Sequence, residues 1–363
     1  MQKFSKYILT GLFVFSGALL ACGGPSDPLP GGGGGDAPPE GWAELPVMQP
    51  ADGGEGHLRY VTHYVSADGM SASDTGTSGV SGASKASKAS RASGVSGRVR
   101  SYTIAFDSST RQPLWVAYPM HSWYDGDAGR GTTWRPDPLI PESEQPYLRT
   151  SYNEVGNNGA FSRGHMLASD SRQRSRAMND QTFLFTNSAP QAQNTFNGGV
   201  WLKLENLEKE WGFRGIAARD TLYVVTGSTF GGLTGEGGAS EGGSSGADMG
   251  GGSDGGGEKI TSDDRGNTIP VPTHFYKAML TTKGSGVGKA IGQCSAAELK
   301  CVVFYLEHFG HAGSARPSTD HMMSVADLEA AIGIEFFPTI APAARSVKLS
   351  FDPAEWAGVA QSN

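Results

Sequence analysis

The sequence predicts a single α+β domain, rich in strands and poor in helices, and three observations carry that expectation. Short apolar segments bounded by turn residues recur along the chain, most of them shorter than a helix needs. Helical spacing of apolar residues is confined to a few segments. Glycine accounts for 53 of 363 residues, well above the usual share of about 7%, and the excess falls in polar tracts rather than in the strand-like segments. No Gly-X-Y period is present, which excludes a collagen-like chain. Hydrophobic residues make up 37% and charged residues 18%, so an ordinary core is diluted by polar insertions. The net charge of -7 argues against a generally basic coat for nucleic acid and leaves a locally basic cleft open.

Lys3 and Lys6 precede an apolar stretch from Tyr7 to Leu20, so residues 1–21 read as an export signal. The run Leu19-Leu20-Ala21-Cys22 resembles a bacterial lipobox. In such proteins the signal is cut before the cysteine, whose new terminus is acylated. Cys22 is therefore the expected lipidation site and the membrane an expected partner through an N-terminal lipid anchor. Gly23, not Asp, follows it, which fits outer-membrane sorting with the face undetermined. An ordinary secretory cut with an incidental cysteine is the alternative. Residues 22–56 are Gly/Pro-rich, with Gly31 to Gly35 uninterrupted, and read as a tether. The globular domain is then expected over 57–340, with 341–363 as a tail.

Within that domain His57 to Val65 alternates like a strand. Residues 66–97 are low-complexity Ser/Ala/Gly with Lys85, Lys88 and Arg91, an expanded loop between early strands. Arg100 to Phe106 and Pro113 to Tyr118 form a strand pair. Gln181 to Thr186 and Thr221 to Thr226 read as buried strands. Asn197 to Trp211 reads as a helix, because Val200, Leu204, Leu207 and Trp211 make one apolar stripe. Trp201 and Trp211 are expected as core anchors. Residues 231–257 hold 14 glycines in 27 positions, with neither the Lys nor the spacing of a phosphate loop, and read as a second insertion. Pro272 to Thr281 and Lys300 to Leu306 are further strands. Ser324 to Ile332 is a short helix with Ser324 as N-cap and Asp327 at the third position. Cys294 and Cys301, left after Cys22, are either a disulfide closing a small loop in an oxidising compartment or two free thiols.

The chemistry concentrates in Phe161-Ser-Arg-Gly-His-Met-Leu-Ala-Ser-Asp170, Phe183-Leu-Phe-Thr-Asn187, Pro190-Gln191 and Phe196-Asn-Gly-Gly-Val-Trp-Leu-Lys-Leu-Glu205. Arg163 offers a fixed cationic fork suited to phosphate. Gly164 lets the backbone turn sharply or approach a ligand. His165 is the common side chain able to take a proton near neutral pH. Asn197 presents a neutral carbonyl oxygen of the kind Mg²⁺ accepts. Glu205 lies about 12 Å farther along a helix axis, and helical side chains lean back toward the N-terminus. A base, a phosphate clamp and a hard-metal site are the parts needed to hydrolyse a phosphodiester.

These segments resemble the DNA/RNA non-specific endonucleases, whose ββα-metal core is also called the His-Me finger. The likeness rests on Ser-Arg-Gly-His, Asn-x-x-Pro-Gln and Phe-Asn-x-x-x-Trp-x-x-Leu-Glu. It extends to Ile269-Pro-Val-Pro-Thr-His-Phe-Tyr-Lys277 and Gly333-Ile-Glu-Phe-Phe-Pro338. The resemblance implies a ββα-metal core on a central, mainly antiparallel sheet. It implies a metal-dependent enzyme that hydrolyses phosphodiesters of DNA and RNA without sequence preference, leaving 5′-phosphate ends. His165 would be the general base and Arg163 the phosphate clamp. Asn197 would bind Mg²⁺, with Mn²⁺ or another divalent cation as possible substitutes, and Glu205 would reach the metal through water. Asn187 either orients the site or serves the backbone. Arg130 is the candidate for a second phosphate-binding arginine, with Arg135 its competitor. Ser162 stands where many members carry Asp.

Arg163, Arg172, Arg174 and Arg176 crowd 14 residues with Asp170 as the one opposing acid. Arg172 and Arg174 are thus candidates for a substrate-binding strip, or for a solvated face. His308, His311 and His321 do not suggest zinc, which needs convergent ligands. The rival to an enzyme is an inactive surface lipoprotein that keeps the fold to bind nucleic acid or a protein.

Overall fold

The computed structural model describes residues 42–48, 57–66, 98–155, 161–214, 220–231 and 259–361. The export signal, Cys22, the glycine run at 31–35 and nearly all of both low-complexity tracts lie outside those residues. In chain order the described strands are β1 (Val47–Met48), β2 (Leu58–Ser66), β3 (Arg98–Asp107), β4 (Gln112–Met120), β5 (Ser162–His165), β6 (Ser188–Gln191) and β7 (Leu222–Thr229). They continue as β8 (Ile260–Ser262), β9 (Thr268–Pro270), β10 (His274–Thr282), β11 (Leu299–Glu307), β12 (Met322–Met323) and β13 (Ile334–Glu335). The α-helices are α1 (Arg176–Gln181), α2 (Leu202–Lys209) and α3 (Val325–Ile332).

Seven strands form one sheet in the order β12-β11-β10-β7-β4-β3-β2, and every neighbouring pair is antiparallel. Both faces are covered. One core holds Ile104, Val116, Tyr118, Val224, Phe275 and Phe304 together with Phe196, Trp201 and Leu204 from the segment around α2. The other holds Ala105, Trp115, Ala117, Val225, Tyr276 and Val303 with Leu328, Phe336 and Phe337. Successive residues face opposite layers, so the central strands read as continuous apolar runs rather than as alternation. That explains why β4, β7, β10 and β11 were legible by composition. Trp201 and Trp211 are both buried, as expected. Ser324 caps α3, its Oγ accepting from Asp327 N at 3.1 Å, and Gly333 ends it at φ +69°.

Three expectations change, and one open alternative is decided. Gln181 to Thr186 is not a strand: α1 closes at Gln181, and Phe185–Asn187 makes one 3₁₀ turn. Ser175 Oγ accepts from Met178 N and Thr182 Oγ1 donates to Asn179 O. Capping hydroxyls at both ends thus stabilise helix where a short apolar run alone fits either structure. The tether does not extend to residue 56. Ala43 and Leu45 are buried, β1 pairs with β13, and Glu44 forms a buried ion pair with Arg100. Residues 341–363 are not simply a tail. Trp356 is buried against Trp211, whose Nε1 donates to Ala357 O at 2.9 Å, and Lys300 Nζ donates to Glu355 O. Finally, Cys294 and Cys301 are free thiols. Cys301 is fixed in β11 opposite Leu280 with its Sγ 3.2 Å from Val347 O, whereas Cys294 Sγ lies 3.5 Å from Ala290 O. The thiols engage different carbonyls, so spacing suited to a small loop does not produce a bridge.

Candidate active site

Two strands and a helix position the functional side chains. β5 pairs antiparallel with β6, placing Arg163 opposite Pro190 and His165 opposite Ser188. Gly164 is required by close approach: a Cβ there would meet Gln191 Cδ at 2.1 Å. Ala192 follows β6 directly, and its N–H donates to His308 Nε2 at 2.8 Å, while His308 Nδ1 donates to Pro272 O at 2.7 Å. His308 is therefore a buried neutral brace, held well down at about 4 chiefly by burial. Among the described residues no three His, Cys, Asp or Glu side chains gather as a metal cluster.

The helical segment begins earlier than the sequence suggested. Wide turns run over Gln193–Trp201 before α2, and Asn197 N donates to Ala192 O at 2.9 Å. Gly199, at φ -106° and ψ -115°, breaks the helical geometry between Asn197 and α2. The helix is pinned to the sheet by a buried ion pair, Glu208 with Lys277 of β10, at 2.7 Å. Tyr118 OH donates to Glu208 at 3.0 Å, and Lys277 also donates to Tyr118 and Thr226. Neither Glu208 nor Lys277 was singled out from the sequence as part of the site. Glu208 is one helical turn beyond Glu205, and an acid on the inward face of an amphipathic helix was the available signal.

His165, Arg163, Arg130, Asn197 and Glu205 line one open cleft of about 400 Å³, together with Ser162, Gln193, Leu202 and Lys209. His165 is buried, and its Nε2, itself shut off from solvent, has no hydrogen-bond partner among the described residues. Its ring packs between Trp134, at 4.8 Å, and Phe183, at 5.0 Å. Each of those rings carries a guanidinium: Arg163 over Trp134 at 5.0 Å and Arg130 over Phe183 at 5.2 Å. Burial, then the charges of Arg130 and Arg163, push the imidazole down to about 3, so it is neutral at any ordinary pH. Arg163 Nη1 donates to Leu148 O and Arg149 O, both at 2.7 Å. That fixes one edge of the fork. Glu205 is pushed up to about 8 by burial, against the pull of Lys277 and Arg130 and with the repulsion of Glu208 and Asp170.

The other predicted residues fall elsewhere. Arg172 is fully buried and not on a substrate strip. It donates to Ser101 O, Pro119 O and Ser171 O, and stacks on Tyr124 at 4.1 Å. A guanidinium can satisfy several carbonyls at once, and here it ties the motif segment to β3 and β4. Arg174 lies over Trp123, outside the cleft lining. Arg135 joins the backbone of Phe183 and Phe185 and is likewise outside it. Arg130 is the second arginine that the fold brings to the cleft. Asn187 is buried and serves the backbone: its Oδ1 accepts from Leu167 N and its Nδ2 donates to Leu167 O and Thr182 O. It fixes the chain just beyond His165 without lining the cleft.

Residues 83–343 match the sequence model of a family described as DNA/RNA non-specific endonuclease. Mitochondrial nuclease EXOG of Danio rerio is 27% identical over 243 residues, which span 66% of this chain and 60% of that protein. Human mitochondrial endonuclease G is 26% identical over 251 residues, 68% of this chain and 71% of that protein. A nuclease of Nostoc sp. is 30% identical over 126 residues, 35% of this chain and 43% of that protein. The chain thus spans less than two thirds of the zebrafish and Nostoc relatives. A solved complex of EndoG with EndoGI superposes with a TM-score of 0.42 at 19% identity, covering 69% of this chain and 86% of that one.

Proposed function

The chain belongs to the DNA/RNA non-specific endonuclease family, and from that premise we propose that it is a divalent-metal-dependent hydrolase of DNA and RNA in which His165 is the general base. The observation that carries this reading is a neutral imidazole lining a cleft that also holds two guanidinium groups and an amide–carboxylate pair. Arg163 and Arg130 bind the substrate phosphate, a role for which the rigid fork suits Arg better than Lys. Water attacks phosphorus, the His165 imidazole takes the proton, and the P–O3′ bond breaks to leave a 5′-phosphate and a 3′-hydroxyl protonated from solvent. Contacts restricted to phosphate carry no base information, hence the lack of sequence preference.

The donor set fits a hard divalent cation. Asn197 Nδ2 donates to Gln193 Oε1 at 3.0 Å, so the amide is held with its Oδ1 left as acceptor. The Glu205 carboxyl, pushed up to about 8, is a second hard oxygen donor whose charged form a cation would favour. Asn197 would hold the ion directly and Glu205 through water. When bound, the ion supplies charge neutralisation at the phosphate and the departing oxygen. We also propose lipidation at Cys22 and an outer-membrane location.

A supercoiled-plasmid assay with 5 mM Mg²⁺, with and without EDTA, tests the reading. Nicking that EDTA abolishes and that Asn197→Ala reduces steeply supports it, with Glu205→Ala milder in metal requirement. Wild-type cleavage by Asn197→Ala refutes the assignment of the ligand. Binding without cleavage under every metal tried favours the inactive nucleic-acid-binding lipoprotein.

A further inference from the structure

Gln193 Oε1 receives two donors from different elements, Ser162 Oγ–H of β5 and Asn197 Nδ2–H of its own helical segment. All three residues line the cleft. Gln193 Nε2 lies near Gly198, where an added Cβ would come 3.4 Å from it. The polarity of this chain matters. An amide has one accepting and one donating end, so an accepting Gln193 turns the Asn197 donor toward itself and leaves Asn197 Oδ1 unused. With Gln193 reversed, its Nε2 would face Asn197 and draw on Oδ1, the oxygen a cation needs. A hydroxyl at 162 can donate to Oε1. A carboxylate at 162 can only accept, which would favour the reversed amide.

We propose that Ser162 and Gln193 are positioning residues for the cation, acting through Asn197: they hold its amide so that Oδ1 is free to bind metal. This rests on Asn197 being the direct ligand, as read above. Partners that orient a ligand's remaining polar atoms typically change metal affinity by about 10 to 100-fold when removed. The relay also accounts for a serine ahead of Arg163 in terms of this chain's own Gln193.

The test is a Mn²⁺ titration of the full mature chain, read by the loss of the free-ion EPR signal without nucleic acid. The metal concentration for half-maximal plasmid nicking is measured alongside it. Gln193→Leu and Ser162→Asp are expected to weaken Mn²⁺ binding by about tenfold or more and to raise the half-saturating metal concentration in parallel, with the rate at saturating metal within a few-fold of wild type. Ser162→Thr keeps the hydroxyl and is expected within threefold of wild type in both readouts. Circular dichroism and thermal midpoints confirm that each variant folds. Asn197→Ala is the control for the parent reading: wild-type Mn²⁺ affinity there overturns that reading and the relay with it. Loss of binding in Asn197→Ala, with wild-type affinity in Gln193→Leu and Ser162→Asp, overturns the relay alone.

Discussion

His165 sits between two aromatic rings, each faced by an arginine, and this surrounding decides what the residue can do. Two nearby cations and burial keep it neutral, so it can accept a proton without first losing one. The polyanionic substrate would offset part of that positive field and raise the proton affinity when it is needed. Arg163→Lys should not restore an Arg163→Ala defect, because the ammonium lacks the fork that spans carbonyls and phosphate together. Measured kcat/KM values for the two variants within about threefold of each other would bear this out, and near-wild-type activity in the lysine variant would contradict it. Arg172 shows the opposite lesson. Its place in an arginine-dense run suggested a binding strip, yet three buried carbonyl acceptors depend on it. Arg172→Ala is expected to cost at least about 3 kcal/mol of stability, since hydrogen bonds to charged groups are worth about 1.5–3 kcal/mol each. Chemical denaturation measures this. A midpoint unchanged from wild type would remove Arg172 from the core. Linear spacing gave its charge and its neighbours, but not the direction in which the chain turns after Asp170.

The ββα unit was legible because its motif residues are local in sequence: β5, β6 and the helical segment from Gln193 all lie between residues 162 and 209. What tethers that unit to the sheet was not, because Lys277 meets Glu208 across 69 residues and a glycine-rich tract. Breaking the buried pair on one side leaves a charge without its partner, which typically costs about 3–5 kcal/mol. Glu208→Gln and Lys277→Met should each lower the thermal midpoint, whereas Glu208→Leu with Lys277→Met together should recover much of the loss. Equal and additive losses in the double variant would argue that the pair is not coupled. His308 braces the same unit from β11, and its titration has a defined sign. Its folded value of about 4 lies below the ordinary 6.5, so the unfolded chain binds the extra proton first. The contribution is complete above about pH 6.5 and is lost as pH falls toward 4, up to about 3 kcal/mol at 1.36 kcal/mol per unit. Glu205, whose value is raised, works in the opposite sense between about 4.5 and 8. The wild-type minus His308→Gln difference in stability therefore isolates the histidine. That difference should shrink as pH drops from 6.5 to 4, and a constant difference would contradict the assignment.

At the scale of the whole molecule an acidic chain must hold a polyanion. The proposed loss of residues 1–21, with Lys3 and Lys6, would make the net charge -9, so attraction would be local to the cleft. On the proposed reading Arg130 and Arg163 carry it, because Arg172 is consumed by the core and Lys209 lies 3.7 Å from Asp170. Each phosphate contact adds about 0.9 to the salt slope on duplex DNA. Arg130→Ala should flatten the slope by about that amount for all sequences alike, and an unchanged slope would place Arg130 outside the binding path. The proposed acylation at Cys22 predicts that labelled palmitate is incorporated and that Cys22→Ser abolishes both label and membrane retention. Label persisting in Cys22→Ser would refute that site. The α+β class followed from short apolar runs and the antiparallel sheet from the family resemblance, while β1 and the packing of Trp356 followed from neither, since β1 pairs with β13 near the other end of the chain and Trp356 packs on Trp211, 145 residues away. The most direct test of the account is the single-turnover cleavage rate of His165→Ala on a DNA duplex at saturating Mg²⁺, with binding measured on the same protein. The account predicts a fall of about 10² to 10⁴-fold in rate with DNA affinity within a few-fold of wild type. A rate within a few-fold of wild type in a folded His165→Ala protein would contradict it.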